Sequence, residues 1–179
     1  MNPTEIIEKY YNNFPEAKKY LSAHSLAVAG KSLDIAEKIK GVDSRFIQQA
    51  AMLHDIGIFM THAPHIGCKG EEPYIRHGIL GKEILEKEGL PACARVAERH
   101  IGVGLTAQEI RKQKLPLPER DMTPQTEEEE IIAYADLFFS KSHKPIDEEK
   151  PLEEIKKGLA RFGDRKINIF GQWIKKYGI

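Results

Sequence analysis

His54 and Asp55 stand side by side directly after the apolar run Ala50, Ala51, Met52 and Leu53. Imidazole and carboxylate are the side chains that hold divalent cations and move protons near neutral pH. The chain carries seven histidines, at positions 24, 54, 62, 65, 77, 100 and 143. His24 falls one turn after Leu21 and one turn before Val28, on the apolar face of a helical pattern. Asp136 sits among Ala133, Ala135, Phe138 and Phe139. A buried ionised carboxylate is costly unless a cation or several donors accompany it. Taken singly, each of these residues has an ordinary explanation as a satisfied core group, a helix end or a cap. Several His and Asp side chains arriving from separate apolar helices are better explained by a metal.

The elements that must position them read as helices. Helical periodicity and punctuation place a long helix from near Pro15 to about Lys40, with Gly41 as its stop. Leu21, Val28 and Ile35 share one face of it, with Ser25, Ser32 and Ile39 beside them. Asp43 or Ser44 can cap a second helix that ends around His54. From Ile56 to Pro73 the pattern breaks at Gly57, Pro64, Gly67, Gly70 and Pro73, which reads as a long loop of the kind that forms lids or binding loops. A helix from about Tyr74 to Lys87 stops at Gly89, and Pro91 opens another that reaches His100. Thr106 with Glu109, and Thr126 with Glu129, are capping-box pairs that start two more. Beyond about residue 147, Leu152, Ile155, Leu159, Phe162, Ile167, Phe170 and Trp173 recur in a charged background, as one or two outer helices would require. Strand signals are almost absent. The expectation is one all-α domain over 1–179, a bundle of six to eight helices without a sheet, with a core at about 15–141 and an extension at about 147–178.

Composition excludes several classes of function. Lys+Arg 27 balances Asp+Glu 27, so no global field draws the chain to a nucleic-acid polymer or an anionic membrane. No apolar stretch approaches the ~20 residues of a membrane helix, and the start MNPTEIIEKYY does not read as a signal peptide. Cys68 and Cys93 form no ligand-spaced motif and read as reduced thiols. A cytoplasmic setting is the natural expectation. His62, His65 and Cys68 lack a fourth ligand and make a poor structural zinc site. The run Glu127–Glu130 suits a helix N-terminus.

The stretch AAMLHDIG, residues 50–57, resembles the HDIG signature of the HD superfamily. Members pair that doublet with an upstream His and a distant Asp, here His24 in YLSAHSLAVA and Asp136 in IIAYADLF. Two-metal members add two intervening histidines, which here fall on His77 in YIRHGILGKEIL and His100 in VAERHIGVGLT. The resemblance covers about residues 20–140. It implies an HD-type helical bundle in which His24, His54, Asp55 and Asp136 hold one ion, His77 and His100 hold a second, and Asp55 bridges. The implied activity is hydrolysis of a small phosphate ester, a nucleotide among them, by a hydroxide bridging the ions, with His54 and Asp55 at the catalytic centre. Imidazole and carboxylate suit Fe, Mn, Co, Ni or Zn without distinguishing them. Other members resembling this ligand pattern are mixed-valent di-iron oxygenases, and a non-catalytic nucleotide sensor is a third reading; a homodimer is left open. Many HDIG phosphodiesterases carry Lys after the glycine, where this chain has Ile58, and the GYP motif of one such group is absent. Arg76 and Lys69 are the candidates to meet phosphate instead.

Overall fold

A computed structural model describes residues 2–139 and 145–178; His143 lies outside the described residues. The chain forms α1 (Pro3–Tyr11), α2 (Pro15–Ala36), α3 (Ser44–Leu53), α4 (His77–Lys87), α5 (Pro91–Arg99), α6 (Ala107–Gln113), α7 (Glu127–Asp136), α8 (Leu152–Ala160) and α9 (Asp164–Tyr177). The all-helical class expected from the sequence is observed, with nine α-helices among the described residues where six to eight were expected.

The differences have local causes. Helix α1 precedes the expected core: Asn2 and Glu5 form a capping box around Pro3, and Ile6, Ile7 and Tyr11 are buried. Helix α2 ends at Ala36, before the expected Lys40, because the amides of Lys38 and Ile39 bond carbonyls three residues back. The chain then turns through Gly41 at φ +89°. The expected loop after residue 56 contains a small antiparallel hairpin, β1 (His62–Ala63) on β2 (Cys68–Lys69), with short 3-10 helices around it. Strands this short leave too little alternation to read from sequence. Ala63, Ile66 and Cys68 anchor the hairpin in the core.

Helix α2 packs on α3 and α7, α3 packs on α5, and α5 packs on α4. The buried stripe of α2 runs through Leu21, His24, Ser25, Val28, Ser32 and Ile35, the face expected from its spacing. Asp43 caps α3 by accepting from the amides of Arg45 and Phe46. The Thr106–Glu109 capping box forms in full. At Thr126 half of the box forms: the hydroxyl accepts from the Glu129 amide, while the Glu129 carboxylate accepts from Arg99 at 3.0 Å and from the Gln125 amide at 2.8 Å. The acidic run at the start of α7 thus also ties that helix to α5, and Glu130 ties it to Lys176 and Tyr177 of α9.

The outer helices dock through aromatic rings. Tyr134 of α7 contacts Phe170, Trp173 and Tyr177 of α9, with centroids 5.6 to 6.2 Å apart. Its hydroxyl donates to the Gly178 carbonyl. Lys166 of α9 is buried; its ammonium donates to the Gly104 carbonyl and pairs with Glu109 at 2.9 Å. Cys68 and Cys93 are free, buried thiols, and burial pushes each up to about 11. No described helix is long and apolar enough to cross a membrane.

Burial alone raises Glu109, but hydrogen bonds from Thr106 and Lys166, with the lysine charge, outweigh it and hold the carboxyl below its ordinary value. A carboxyl depressed in the folded state contributes stability above its unfolded pKa and loses it as pH falls through the folded value. Glu109→Gln should therefore cost roughly 3 kcal/mol at neutral pH, since it leaves the Lys166 charge buried without its partner. Its stability should also fall less steeply on acidification below about pH 4. Urea unfolding followed across pH checks both.

Candidate metal centre

Four imidazoles and two carboxylates meet where the C-terminal ends of three helices converge. His54 is the residue following α3, His100 the residue following α5, and Asp136 the last residue of α7. His77 opens α4, and His24 projects from the middle of α2. Helix C-termini expose unpaired carbonyls and the negative end of the helix dipole, which favours cations. His54 Nδ1 lies 2.7 Å from the Ala51 carbonyl and His100 Nδ1 lies 2.9 Å from that of Ala97, both in the last turn before the histidine. His77 Nδ1 makes the same bond, 2.7 Å to the Tyr74 carbonyl. A carbonyl only accepts, so in the neutral ring each Nδ1 carries the proton and each Nε2 presents its lone pair to the centre.

Asp55 divides the centre. Its Oδ2 lies 3.4 Å from His24 Nε2 and 3.6 Å from His54 Nε2. Its Oδ1 lies 3.2 Å from His77 Nε2 and 3.3 Å from His100 Nε2. Asp136 Oδ1 joins the first group, 3.0 Å from His24 Nε2 and 3.6 Å from His54 Nε2. The Nε2 atoms of His77 and His100 are 3.1 Å apart. Two imidazole lone pairs facing each other beside a carboxylate oxygen repel unless a cation lies among them. Ligands about 2.1 Å from an ion stand roughly 3.0 to 3.4 Å from one another in octahedral or tetrahedral arrangements. The observed spacings lie within that range except the two from His54 Nε2, which at 3.6 Å stand slightly above it. Two donor groups with the reach to hold an ion form here, His24–His54–Asp136 and His54–Asp55–His100.

Close backbone approach makes this possible. A Cβ on Gly57 would come within 2.3 Å of the His77 carbonyl oxygen and 2.4 Å of the Gly81 amide, so the turn after the doublet rests directly on the first turns of α4. A Cβ on Gly78 would meet the Ala97 carbonyl oxygen at 2.5 Å, on the helix that carries His100. From the other side, the buried Tyr11 hydroxyl donates to the Ile56 carbonyl at 2.8 Å. Burial holds that phenol well above its ordinary pKa, so it remains a donor.

His24, His54 and Asp55 are sealed from solvent, whereas the Asp136 side chain is 12% exposed. It opens, with His77 and His100, into a pocket of about 350 Å³ also lined by Tyr74, Ile101 and Lys150. Arg76 does not line this pocket: its guanidinium pairs with Glu72 at 2.9 Å and donates to the Pro116 carbonyl at 3.2 Å. Lys69 is exposed on β2, His62 and His65 are exposed nearby, and Cys68 is buried with its thiol toward the Ile66 carbonyl; none of them lines it either. Ile58, in the position where related sequences carry Lys, is wholly buried. Lys150 was not singled out by sequence; it lies well beyond His100, the last of the four clustered histidines, and belongs to no motif.

The family profile described as HD domain matches residues 21–139. An uncharacterised protein of Methanocaldococcus jannaschii is 38% identical over 152 residues, 82% of this chain and 79% of that protein. The tRNA (cytidine(56)-2'-O)-methyltransferase of Thermoplasma volcanium is 30% identical over 87% of this chain, and that of Picrophilus torridus 41% identical over 55%. The chain spans only 44% and 25% of the length of those two proteins. The crystal structure of the Listeria monocytogenes phosphodiesterase PgpH HD domain superposes with a TM-score of 0.57 at 20% identity, covering 93% of each chain. Its complex with cyclic-di-AMP gives a TM-score of 0.55 over 98% of each. The chain belongs to the HD-domain family. HD domains bind divalent metals, the His and Asp cluster here could hold one, and the family supports a metal-dependent phosphohydrolase as the general class.

Gly57→Ala is expected to cost about 1–3 kcal/mol or more, because the added methyl has only backbone to displace. It should also lower metal content by pushing Asp55 away from His77. Urea denaturation together with elemental analysis reads both effects.

Proposed function

We propose that the chain is a two-metal phosphohydrolase acting on a small phosphate ester of nucleotide size. His24, His54, Asp55 and Asp136 would hold one ion, and His77 and His100, sharing Asp55, the other. The observation that carries this reading is the Asp55 carboxylate, whose two oxygens face two separate imidazole pairs. When bound, such ions supply Lewis acidity toward a phosphoryl oxygen and hydroxide near neutral pH. Nitrogen and oxygen donors suit Fe, Mn, Co, Ni or Zn.

The chain's own groups do the rest. Carbonyl bonds at Nδ1 fix the orientation of His54, His77 and His100, so the donor set is preorganised before anything binds. Asp136, at the pocket floor, marks the side from which a substrate enters. Two divalent ions against two carboxylates would leave the loaded centre net positive toward phosphate, and a cation lining the pocket would add to that attraction. Lys150 is that cation, in the role the sequence suggested for Arg76 or Lys69. A nucleotide is supported by the fold's capacity, in the PgpH domain, to hold cyclic-di-AMP. The absence of the Lys after Gly57 and of a GYP motif speaks against a cyclic dinucleotide itself.

The test is metal analysis of the purified chain with a panel of nucleotides, phosphomonoesters and phosphodiesters, assayed with and without oxygen. Hydrolysis should proceed equally without oxygen. Asp55→Asn should release both ions and lower activity by more than the ~10²-fold typical of changes outside the ligand shell. His77→Ala should lose one ion and keep the other. Absence of hydrolysis with every metal, while all six ligand variants retain normal metal content, would reject the reading. A Lys150→Gln variant should raise KM, leave metal content unchanged, and be partly rescued by Lys150→Arg.

A further inference from the structure

Next to the metal-centre pocket lies a smaller cavity of about 150 Å³. Its wall is formed by Val103, Leu105, Leu115, Leu159 and Phe162, with Gln113 as a polar member, and it shares Ile75, Ile101 and Gly102 with the pocket that holds His77, His100 and Asp136. It lies between the main core, which supplies Val103 and Leu159, and a minor core around α6, where Ile79, Leu105, Ile110, Leu117 and Met122 pack with Ile75, Ile101 and Leu115. Lys166 also lines it, but its ammonium is committed to the Gly104 carbonyl and Glu109, so the chamber meets the lysine through its hydrocarbon stem. Phe162 stands at the wall 58% exposed, an unusual position for a large apolar side chain beside a cavity.

An apolar chamber of this volume can accept a benzene-sized guest. The chamber and the metal-centre pocket both border on Ile75, Ile101 and Gly102, which places such a guest beside a phosphate held at the metal centre. We infer that this chamber is a specificity subsite for one compact apolar ring carried by the phosphate ester. A purine is too large and too polar to enter it, so a nucleotide would have to seat such a base in the larger pocket outside the chamber. The inference rests on the phosphohydrolase reading for the phosphate end of the ligand and on the chamber alone for the other end.

The two can be tested apart. Benzylphosphonate and methylphosphonate carry the same charged group, neither is hydrolysed, and their binding to the metal-loaded chain can be measured by calorimetry. Benzylphosphonate should bind about 10-fold tighter or more, the gain expected from burying one ring. Leu115→Phe, and independently Leu159→Phe, should erase that difference while leaving methylphosphonate affinity and metal content unchanged; agreement between the two variants guards against misfolding of either. Turnover of benzyl phosphate over methyl phosphate should show the same ratio in kcat/KM, since their alcohols leave with similar ease. Equal binding of the two phosphonates by the unsubstituted chain overturns the subsite, as does a benzyl preference that survives both substitutions. A benzyl preference in binding without turnover of any ester upholds the subsite and instead rejects the hydrolase reading.

Discussion

The structure is organised around one carboxylate that must serve two sides at once. Asp55 is wholly buried, and its oxygens point in different directions toward imidazoles from α2 and α3 on one side and from α4 and α5 on the other. No single helix can supply such a set. Residues on one helix face diverge from its axis, so the donors must arrive on separate elements. The chain meets this requirement by aiming the C-terminal ends of α3, α5 and α7 at one point and packing α4 along α5. Gly57 and Gly78 then let backbones approach where side chains would hold them apart.

This arrangement concentrates negative potential. Two carboxylates and three carbonyl-bearing helix ends surround a space whose sealed part, among the described residues, holds no Lys or Arg side chain. Cations are therefore structural as well as chemical in such a centre, and folding and ion binding are linked. The elements around the centre are braced accordingly. Arg99 joins α5 to Glu129 of α7, Tyr11 holds the turn after the doublet, and α9 clamps α7 through Tyr134. The region C-terminal to the HD match provides Lys150 to the pocket and Leu159 and Phe162 to the adjoining chamber. It thus reaches the site's surroundings as well as covering the core.

Much of the centre was legible in the sequence because burying a charge leaves few alternatives. His24 on an apolar face, a doublet after an apolar run and Asp136 among Ala and Phe each imposed a cost that one shared site resolves. Capping chemistry at Asp43 and Thr106 located helix starts for the same reason: a side chain must satisfy the free amides. What was not legible depended on contacts across the chain. The Glu129 carboxylate leaves its expected local partner for Arg99, and the hairpin at residues 62–69 is too short to show a period. Lys150 and the apolar chamber exist only because α6, α8 and the turn after α5 are adjacent in space. Ile75, Ile101 and Leu159 each read as ordinary core residues, and nothing in their spacing announces that they leave a gap.

The two thiols carry a practical consequence. Cys68 and Cys93 are buried and hold their protons until far above neutral pH, so the reactive thiolate is scarce and alkylating reagents reach it slowly. The unaltered chain therefore has a chemically quiet background. A lone cysteine introduced at an exposed position such as Phe162 could be labelled selectively with a fluorophore or spin label, without first removing the native ones. Such a label would sit at the chamber wall and report on whether the chamber is occupied.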